Sequence, residues 1–258
     1  MTDSSSPNPF SLAGTHTLIT GGSRGLGNAA ARAVARAGGA VTIVARSVDQ
    51  ARAAAADLAA FGATARAYPA DVARLDQLQE IVDAVSEISP IHGVVHAAGI
   101  QLRKPAVEVT AEEFTQVQNV NVNAPYLLST AVARTQIARG IAGSHVFIGS
   151  LNSSIALPNI SPYAVSKTGL VGVARALSVE WAVHSIRSNI IGPGYFETEM
   201  TKKLLANPAD YDRILARIPM RRLGDPSDVG NACVYLLSQA SRYVTGTLHN
   251  VDGGWLGA

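Results

Sequence analysis

The chain has 258 residues, 47% of them hydrophobic, and a formal charge of +2 with Lys and Arg scattered along it. That length and apolar content suit one α/β domain with a full core. The charge pattern excludes a polybasic nucleic-acid face or a membrane-binding stretch and leaves small neutral or anionic molecules as ligands. The opening "MTDSSSPNPF" lacks the apolar run of a signal peptide, and no later window approaches ~18 uninterrupted apolar residues. The single Cys233 has no partner for an intramolecular disulfide, which favours a reducing compartment. The expectation is a cytoplasmic protein with a frayed tail over residues 1–9 and one domain over 10–258.

Beyond the tail, short β-branched runs alternate with Ala-rich helical stretches, the rhythm of βαβ units and a parallel sheet. "THTLIT" reads as a strand and "GNAAARAVARAG" as the helix after it; "AVTIVAR" and "DQARAAAADLAAFG" repeat the pair. Further strands are read at "ATARAYP", "IHGVVHAAG", "GSHVFIGS", "SIRSNIIGPG" and "GTLHNVDGG". Seven strands with helices on both faces make a doubly wound, Rossmann-like α/β sheet. Residues 194–223 form an irregular segment longer than an ordinary connection and are a candidate substrate lid. The helix after it is well signalled, with Asp225 as cap, Pro226 in the first turn and Asp228 near the start. Among the six histidines the one close pair, His92 and His96, would share a strand face roughly 13 Å apart, too far for one metal ion, so no metal site is expected.

The turn "GGSRGLG" joins the first strand to the first helix. Gly21, Gly25 and Gly27 let backbone N–H groups approach a pyrophosphate, and the helix beginning near Leu26 adds its positive end. A glycine-rich loop alone is equally a tight turn; the strand before it, the helix after it and a second strand ending at Arg46 make it a dinucleotide loop. An acidic residue at the end of that second strand would bond the adenosine ribose 2′-OH and repel a 2′-phosphate. Ala45 and Arg46 stand there instead, which points to NADP(H), with Arg24 as a second cation for the phosphate.

In "SPYAVSKTG", Ser161 can cap a helix whose first turn accepts Pro162, so Tyr163 and Lys167 lie one turn apart on one face. An ammonium beside the phenol, with the positive charge of an oxidised nicotinamide, favours phenolate and lowers the tyrosine pKa from its ordinary ~10. By itself such a pair is a packed aromatic and a snorkelling lysine. Ser150, where the strand "HVFIGS" ends, changes that reading, because ligands of open parallel sheets bind outside the carboxyl ends of the strands and the glycine loop lies on the same edge.

With these features the chain resembles the short-chain dehydrogenase/reductase family from about Phe10 to Trp255. The match runs through "TGGSRGLG", "AD" before Val72, "HAAG", "VNVN", a serine thirteen residues before "YAVSK", "NIIGPG" and the closing "VDGG". The resemblance implies Tyr163 as acid/base, Lys167 as the group that lowers its pKa and holds the nicotinamide ribose, and Ser150 as the partner of the substrate carbonyl. It also implies Asn121 as the holder of a proton-relay water. The nucleotide site it implies comprises Gly21, Ser23, Arg24, Gly25, Leu26, Gly27, Arg46, Asp71, Val72, Ala98, Gly99, Tyr163, Lys167, Pro193, Gly194, Phe196 and Thr198. Asp71 would meet the adenine, and Pro193, Gly194 and Thr198 would line the nicotinamide carboxamide. His96 and Ala97 stand where the family usually has asparagines that anchor the strand. Such enzymes are commonly tetramers built through two long helices, here about 111–139 and 161–185, and the terminal strand.

Within the family, "AAGIQLRKP", "GPGYFETEM" and "RRLGDPSDV" through "VDGGW" look like the gluconate 5-dehydrogenase branch. The leading expectation is an NADP(H)-dependent oxidoreductase acting on a secondary alcohol or ketone of a sugar acid or polyol, such as gluconate/5-ketogluconate. Arg103, Lys104, Asn152 and Tyr195 would surround that substrate. Branches that reduce 3-oxoacyl thioesters share most of these stretches, and a non-catalytic NADP(H) sensor is the alternative from another class. A complete Asn121, Ser150, Tyr163 and Lys167 set argues against the sensor.

Overall fold

The computed structural model of the chain describes residues 8–60 and 62–258. In chain order its main elements are β1 (His16–Thr20), α1 (Gly25–Arg36), β2 (Ala40–Ala45), α2 (Val48–Ala59), β3 (Ala65–Pro69), α3 (Leu78–Ile88), β4 (Gly93–His96), α4 (Ala111–Gln118), α5 (Ala124–Arg139), β5 (Gly143–Ile148), α6 (Ser161–Trp181), β6 (Ile186–Pro193), α7 (Glu199–Leu205), α8 (Pro208–Arg217), α9 (Pro226–Leu237) and β7 (Leu248–Val251). The strands form one parallel sheet in the order β3-β2-β1-β4-β5-β6-β7. The chain builds outward from β1 to β3, then crosses back to start again at β4 beside β1, which opens a crevice at the carboxyl ends of these two strands.

Alternation along the strands fills a core on each face. Ile19, Ile43, Val95, Val146 and Ile191 pack with α1, α2 and α9, while Leu18, Val44 and Val94 pack with α3 and α5. Phe147 and Ile190 meet Leu170, Ala174 and Leu177 of α6. Because both faces are covered, β1 is buried at all five positions. Small residues let α1 and α9 touch: a Cβ on Gly230 would stand 2.7 Å from the Ala29 carbonyl oxygen. The start of α9 is a capping box between Asp225 and Asp228 with Pro226 in the first turn, as the sequence implies.

Four expectations need correction. Ser161 does not cap α6 but is its first residue, after Ile160, which makes no side-chain cap bond. The helix expected to 185 ends at Trp181 and tightens into a 3₁₀ turn over Ala182–His184. The helix expected unbroken over 111–139 contains a π-turn at Asn119–Asn123 between α4 and α5. The segment expected to be irregular over 194–223 carries two helices: α7 opens with a Thr198–Thr201 capping box, and the Asn207 side chain caps α8 by accepting the Ala209 and Asp210 N–H groups. Of the expected tail, residues 1–7 lie outside the described residues, whereas the Pro9 carbonyl accepts the Ala240 N–H at 2.9 Å and the Phe10 ring lies 6.4 Å from that of Tyr235.

Candidate active site

Glycine geometry shapes the first wall of the crevice. Gly21 has φ +67°, and a Cβ there would stand 2.7 Å from the Ala98 backbone nitrogen; a Cβ on Gly27 would run into the Gly21 carbonyl. Side chains would therefore push β1 away from β4 and from the start of α1. At Gly25 (φ +55°) an added Cβ would meet little but the Thr198 methyl at 4.0 Å, so the backbone there faces open crevice. The first turn of α1 has no acidic residue, and Arg24 before it makes no side-chain cap bond, which leaves the N-terminal N–H groups directed at that space. Arg24 and Arg46 line it and form no ion pair among the described residues. A close backbone cradle, a helix N-terminus and two free guanidiniums fit a dinucleotide with a 2′-phosphate.

The crevice has a volume of about 1480 Å³ and brings together nearly the whole expected set. Gly21, Ser23, Arg24, Gly25, Leu26, Gly27, Arg46, Asp71, Val72, Ala98, Gly99, Pro193, Gly194, Phe196 and Thr198 line it, together with Ser150, Tyr163 and Lys167 and with Arg103, Asn152 and Tyr195. Lys104 is not in this wall. Its Nζ donates to both carboxylate oxygens of Glu113, at 3.0 and 2.9 Å, so its charge is already answered on α4 and the expected substrate contact is withdrawn.

Ser150 sits just past β5 in extended backbone and starts a 3₁₀ turn over Leu151–Ser153. That turn is tied to α6 by Ser153 Oγ–H donating to the Lys167 carbonyl at 2.9 Å and Thr168 Oγ1–H donating to the Asn152 carbonyl at 3.1 Å. The serine, tyrosine and lysine are thus carried by one cross-braced unit. Tyr163 is 8% exposed and Lys167 5%. Lys167 Nζ donates to the Ile148 carbonyl at 2.7 Å and lies 5.5 Å from the Tyr163 ring centre. Burial pushes the lysine pKa down to about 8.

The protein's own groups act on the phenol in both directions. Burial raises the Tyr163 pKa, with the neighbouring Ser150 hydroxyl and the Arg103 charge pulling the other way. The protein's own groups keep the phenol protonated, because desolvation of a buried phenolate outweighs the Ser150 hydrogen bond and the Arg103 charge.

Asn121 is 1% exposed and does not reach the crevice wall. Its Oδ1 accepts the Ile100 N–H at 2.9 Å, and its Nδ2 donates to the Ile100 carbonyl at 2.9 Å and to Ser166 Oγ at 3.0 Å. Ser166 Oγ–H in turn donates to the Tyr163 carbonyl at 2.7 Å. The Asn121 side chain thus clamps the loop after β4 to the helix of Tyr163. The π-turn at 119–123 is what presents it.

His96 replaces the expected asparagine anchor by other means. Its Nε2 is 2.7 Å from Ser129 Oγ of α5, its ring stacks on Phe147 at 4.7 Å, and burial holds its pKa well below the usual imidazole value, so it is neutral. Ala97 leaves room for the tight Gly21–Gly27 contact: a Cβ on Gly27 would already stand 3.1 Å from its methyl.

Sequence reasoning missed the far wall. Lys203, Leu204, Asn207 and Asp210 of the 194–223 segment line the crevice, and Ile214 of α8 and Ile218 just after it pack with Leu151 and Trp255. The Trp255 ring lies 4.9 Å from Tyr195 and 4.6 Å from the Arg217 guanidinium. Burial raises the Tyr195 pKa; Arg213, Arg103 and Arg217 oppose this and Asp210 adds to it. A capping asparagine at 207 and apolar residues four apart at 214 and 218 were the available signals.

A family model described as enoyl-(acyl carrier protein) reductase matches residues 21–256. A gluconate 5-dehydrogenase of Gluconobacter oxydans is 36% identical over 251 residues, 97% of this chain and 98% of that protein. A 5-keto-D-gluconate 5-reductase of Escherichia coli is 38% identical over 248 residues, 96% and 97% of the two chains. The crystal structure of a gluconate 5-dehydrogenase from Burkholderia cenocepacia in complex with NADP and tartrate superposes with a TM-score of 0.93 at 34% identity, covering 97% of this chain and 98% of that one. With the glycine cradle, the braced serine–tyrosine–lysine unit and likeness along nearly its full length, the chain belongs to the short-chain dehydrogenase/reductase family.

Proposed function

We propose that the protein is an NADP(H)-dependent oxidoreductase that interconverts a secondary alcohol and a ketone on a sugar acid, of the gluconate/5-ketogluconate kind. Arg103 carries this reading. It lines the crevice, forms no ion pair among the described residues, and its charge acts on both Tyr163 and Tyr195, so a carboxylate at one end of a substrate would meet it while the other end reached the phenol. The relatives named for gluconate and 5-ketogluconate, and the neighbour holding NADP, support the same reading.

When bound, NADP(H) supplies or accepts the hydride. In reduction the Tyr163 hydroxyl gives its proton to the substrate oxygen, and in oxidation it takes that proton back. Ser150 donates a hydrogen bond to the same oxygen and holds it at the phenol. Lys167 keeps positive charge beside the ring, and Asn121 fixes the helix that carries Tyr163 and Lys167. The 194–223 segment acts as the lid that excludes water, resting on Trp255. A homotetramer is supported by exposed apolar side chains on the long helices, among them Phe114, Tyr126, Leu127 and Ile137 on α4–α5 and Val165 and Val179 on α6. Among the described residues no helix is long and apolar enough to cross a membrane, and a free, buried Cys233 thiol suits a cytoplasmic protein.

NADPH consumption against 5-ketogluconate, a neutral keto-sugar and an acetoacetyl thioester tests the reading. Preference for the keto acid is expected. Activity confined to the thioester would replace the reading with an acyl reductase, and tight NADPH binding with no turnover on any ketone would leave a sensor.

A further inference from the structure

A serine hydroxyl has two lone pairs and one proton, and Asn152 occupies the acceptor side of Ser150. Ser150 Oγ accepts the Asn152 backbone N–H at 3.1 Å and its side-chain Nδ2–H at 3.3 Å. The serine's own proton is then left for the crevice, where Tyr163 also stands. Asn152 is 5% exposed, and its Oδ1 has no hydrogen-bond partner. Turning the amide over would leave both amide protons buried without an acceptor, the costlier arrangement. The bond from Thr168 to the Asn152 carbonyl fixes the residue against α6, the helix of Tyr163 and Lys167.

We propose that Asn152 is a positioning residue: its amide donates to Ser150 Oγ and thereby fixes the serine hydroxyl as a donor to the substrate carbonyl oxygen. This rests on the reading of Ser150 as that oxygen's partner. No bond forms or breaks at Asn152; it acts only on which way the serine proton points. A carboxylate at position 152 reverses the polarity, because in its ionised form it accepts the serine proton and withdraws it from the substrate. Protonated, the same group donates and restores the native direction. The other titratable and charged groups that line the crevice are Tyr163 and Lys167 of α6, Arg103 after β4, Tyr195 after β6, Glu199, Lys203 and Asp210 of the 194–223 segment, and Arg24, Arg46 and Asp71. A new charge could act on any of them directly, so the test includes a protein without the serine.

The experiment measures kcat, KM and NADPH affinity for ketone reduction between pH 5 and 9 in wild type, Asn152→Ala, Asn152→Asp, Ser150→Ala and the Ser150→Ala/Asn152→Asp double variant. Asn152→Ala should lower kcat by about 10-fold and Asn152→Asp by about 100-fold at high pH, with NADPH affinity kept. Relative to wild type at the same pH, the Asp variant should recover by about tenfold as the pH falls, with the ratio for the Ala variant flat. The double variant should match Ser150→Ala throughout. Asp and Ala variants that behave alike at every pH, a double variant far below Ser150→Ala, or an Ala variant that no longer binds NADPH would each overturn the proposal. Near wild-type activity in Ser150→Ala would remove the reading of Ser150 and the proposal with it, whereas a dead Ser150→Ala beside a pH-flat Asn152→Asp removes the positioning role alone.

Discussion

Lys167 holds its ammonium in a buried place, 2.7 Å from the Ile148 carbonyl, with its pKa brought from the ordinary 10.5 down to about 8. Between those values the unfolded chain binds a proton that the folded chain does not, so stability rises with pH across that window and is at its low plateau beneath it. At pH 7 the lysine costs the fold about 3 kcal/mol, taking ~2.5 pKa steps at about 1.4 kcal/mol each. Lys167→Met removes that cost and gives up the bond to Ile148, worth about 1 kcal/mol, for a net gain of about 2 kcal/mol at pH 7. Near pH 10 the remaining cost of the lysine is about 1 kcal/mol, so the gain vanishes. Urea denaturation of both proteins at one concentration, without nucleotide, at pH 7 and pH 10, measures the two differences. The same variant should lose its turnover, since the charge beside the phenol is gone. A Met variant no more stable than wild type at pH 7, or an advantage that does not shrink with rising pH, would refute the reasoning.

Tyr163→Phe should keep NADPH affinity, because the ring still packs, and lose ~10²–10⁴-fold in turnover; more than a tenth of the wild-type rate would take the proton transfer away from this residue. Arg46→Asp should shift preference from NADPH toward NADH by one to two decades, about 1.5–3 kcal/mol, as read by fluorescence titration with both nucleotides; a native protein that binds the two alike would defeat the 2′-phosphate assignment. Arg103→Ala should raise KM for 5-ketogluconate by about 10–100-fold and leave a neutral keto-sugar nearly untouched, whereas Lys104→Ala, its ammonium held by Glu113, should change neither. Gly27→Ala drives a methyl into the Gly21 carbonyl and should abolish NADPH binding in titration; retained affinity would show that the glycine contact is not what shapes the cradle.

Local signals wrote most of the catalytic edge into the sequence. Strands that are buried on both faces must be short and apolar, and each crosses to a helix, so "HTLIT" and "HVFIGS" announced where Gly21 and Ser150 would stand. The Tyr163–Lys167 spacing held because one helical turn is a rigid ruler. What stayed hidden depended on distant partners. Lys104 and Glu113 are nine residues apart, and nothing in "LRKP" shows that a carboxylate waits for the second cation and not the first. The pKa of Tyr163 is set by how deeply it is buried, which spacing does not encode. The π-turn left no mark in "QNVNVNAPY" beyond its asparagines, because one surplus residue in a helix changes no periodicity that a short window can detect.

That surplus residue has a consequence for how this scaffold tolerates change in length. An α-helix advances about 100° per residue, so one residue held in a wide turn resets the azimuth of everything after it. Ala124–Arg139 is thus out of phase with Ala111–Gln118, and the slip falls within the turn Asn119–Asn123 that holds Asn121. Deleting a single residue from 119–123 would yield a more regular and better hydrogen-bonded helix, while swinging one half by about a quarter turn and drawing the Asn121 amide away from Ile100. Backbone regularity and alignment of the site are opposed at this point, so the helix can drift in composition far more freely than in register.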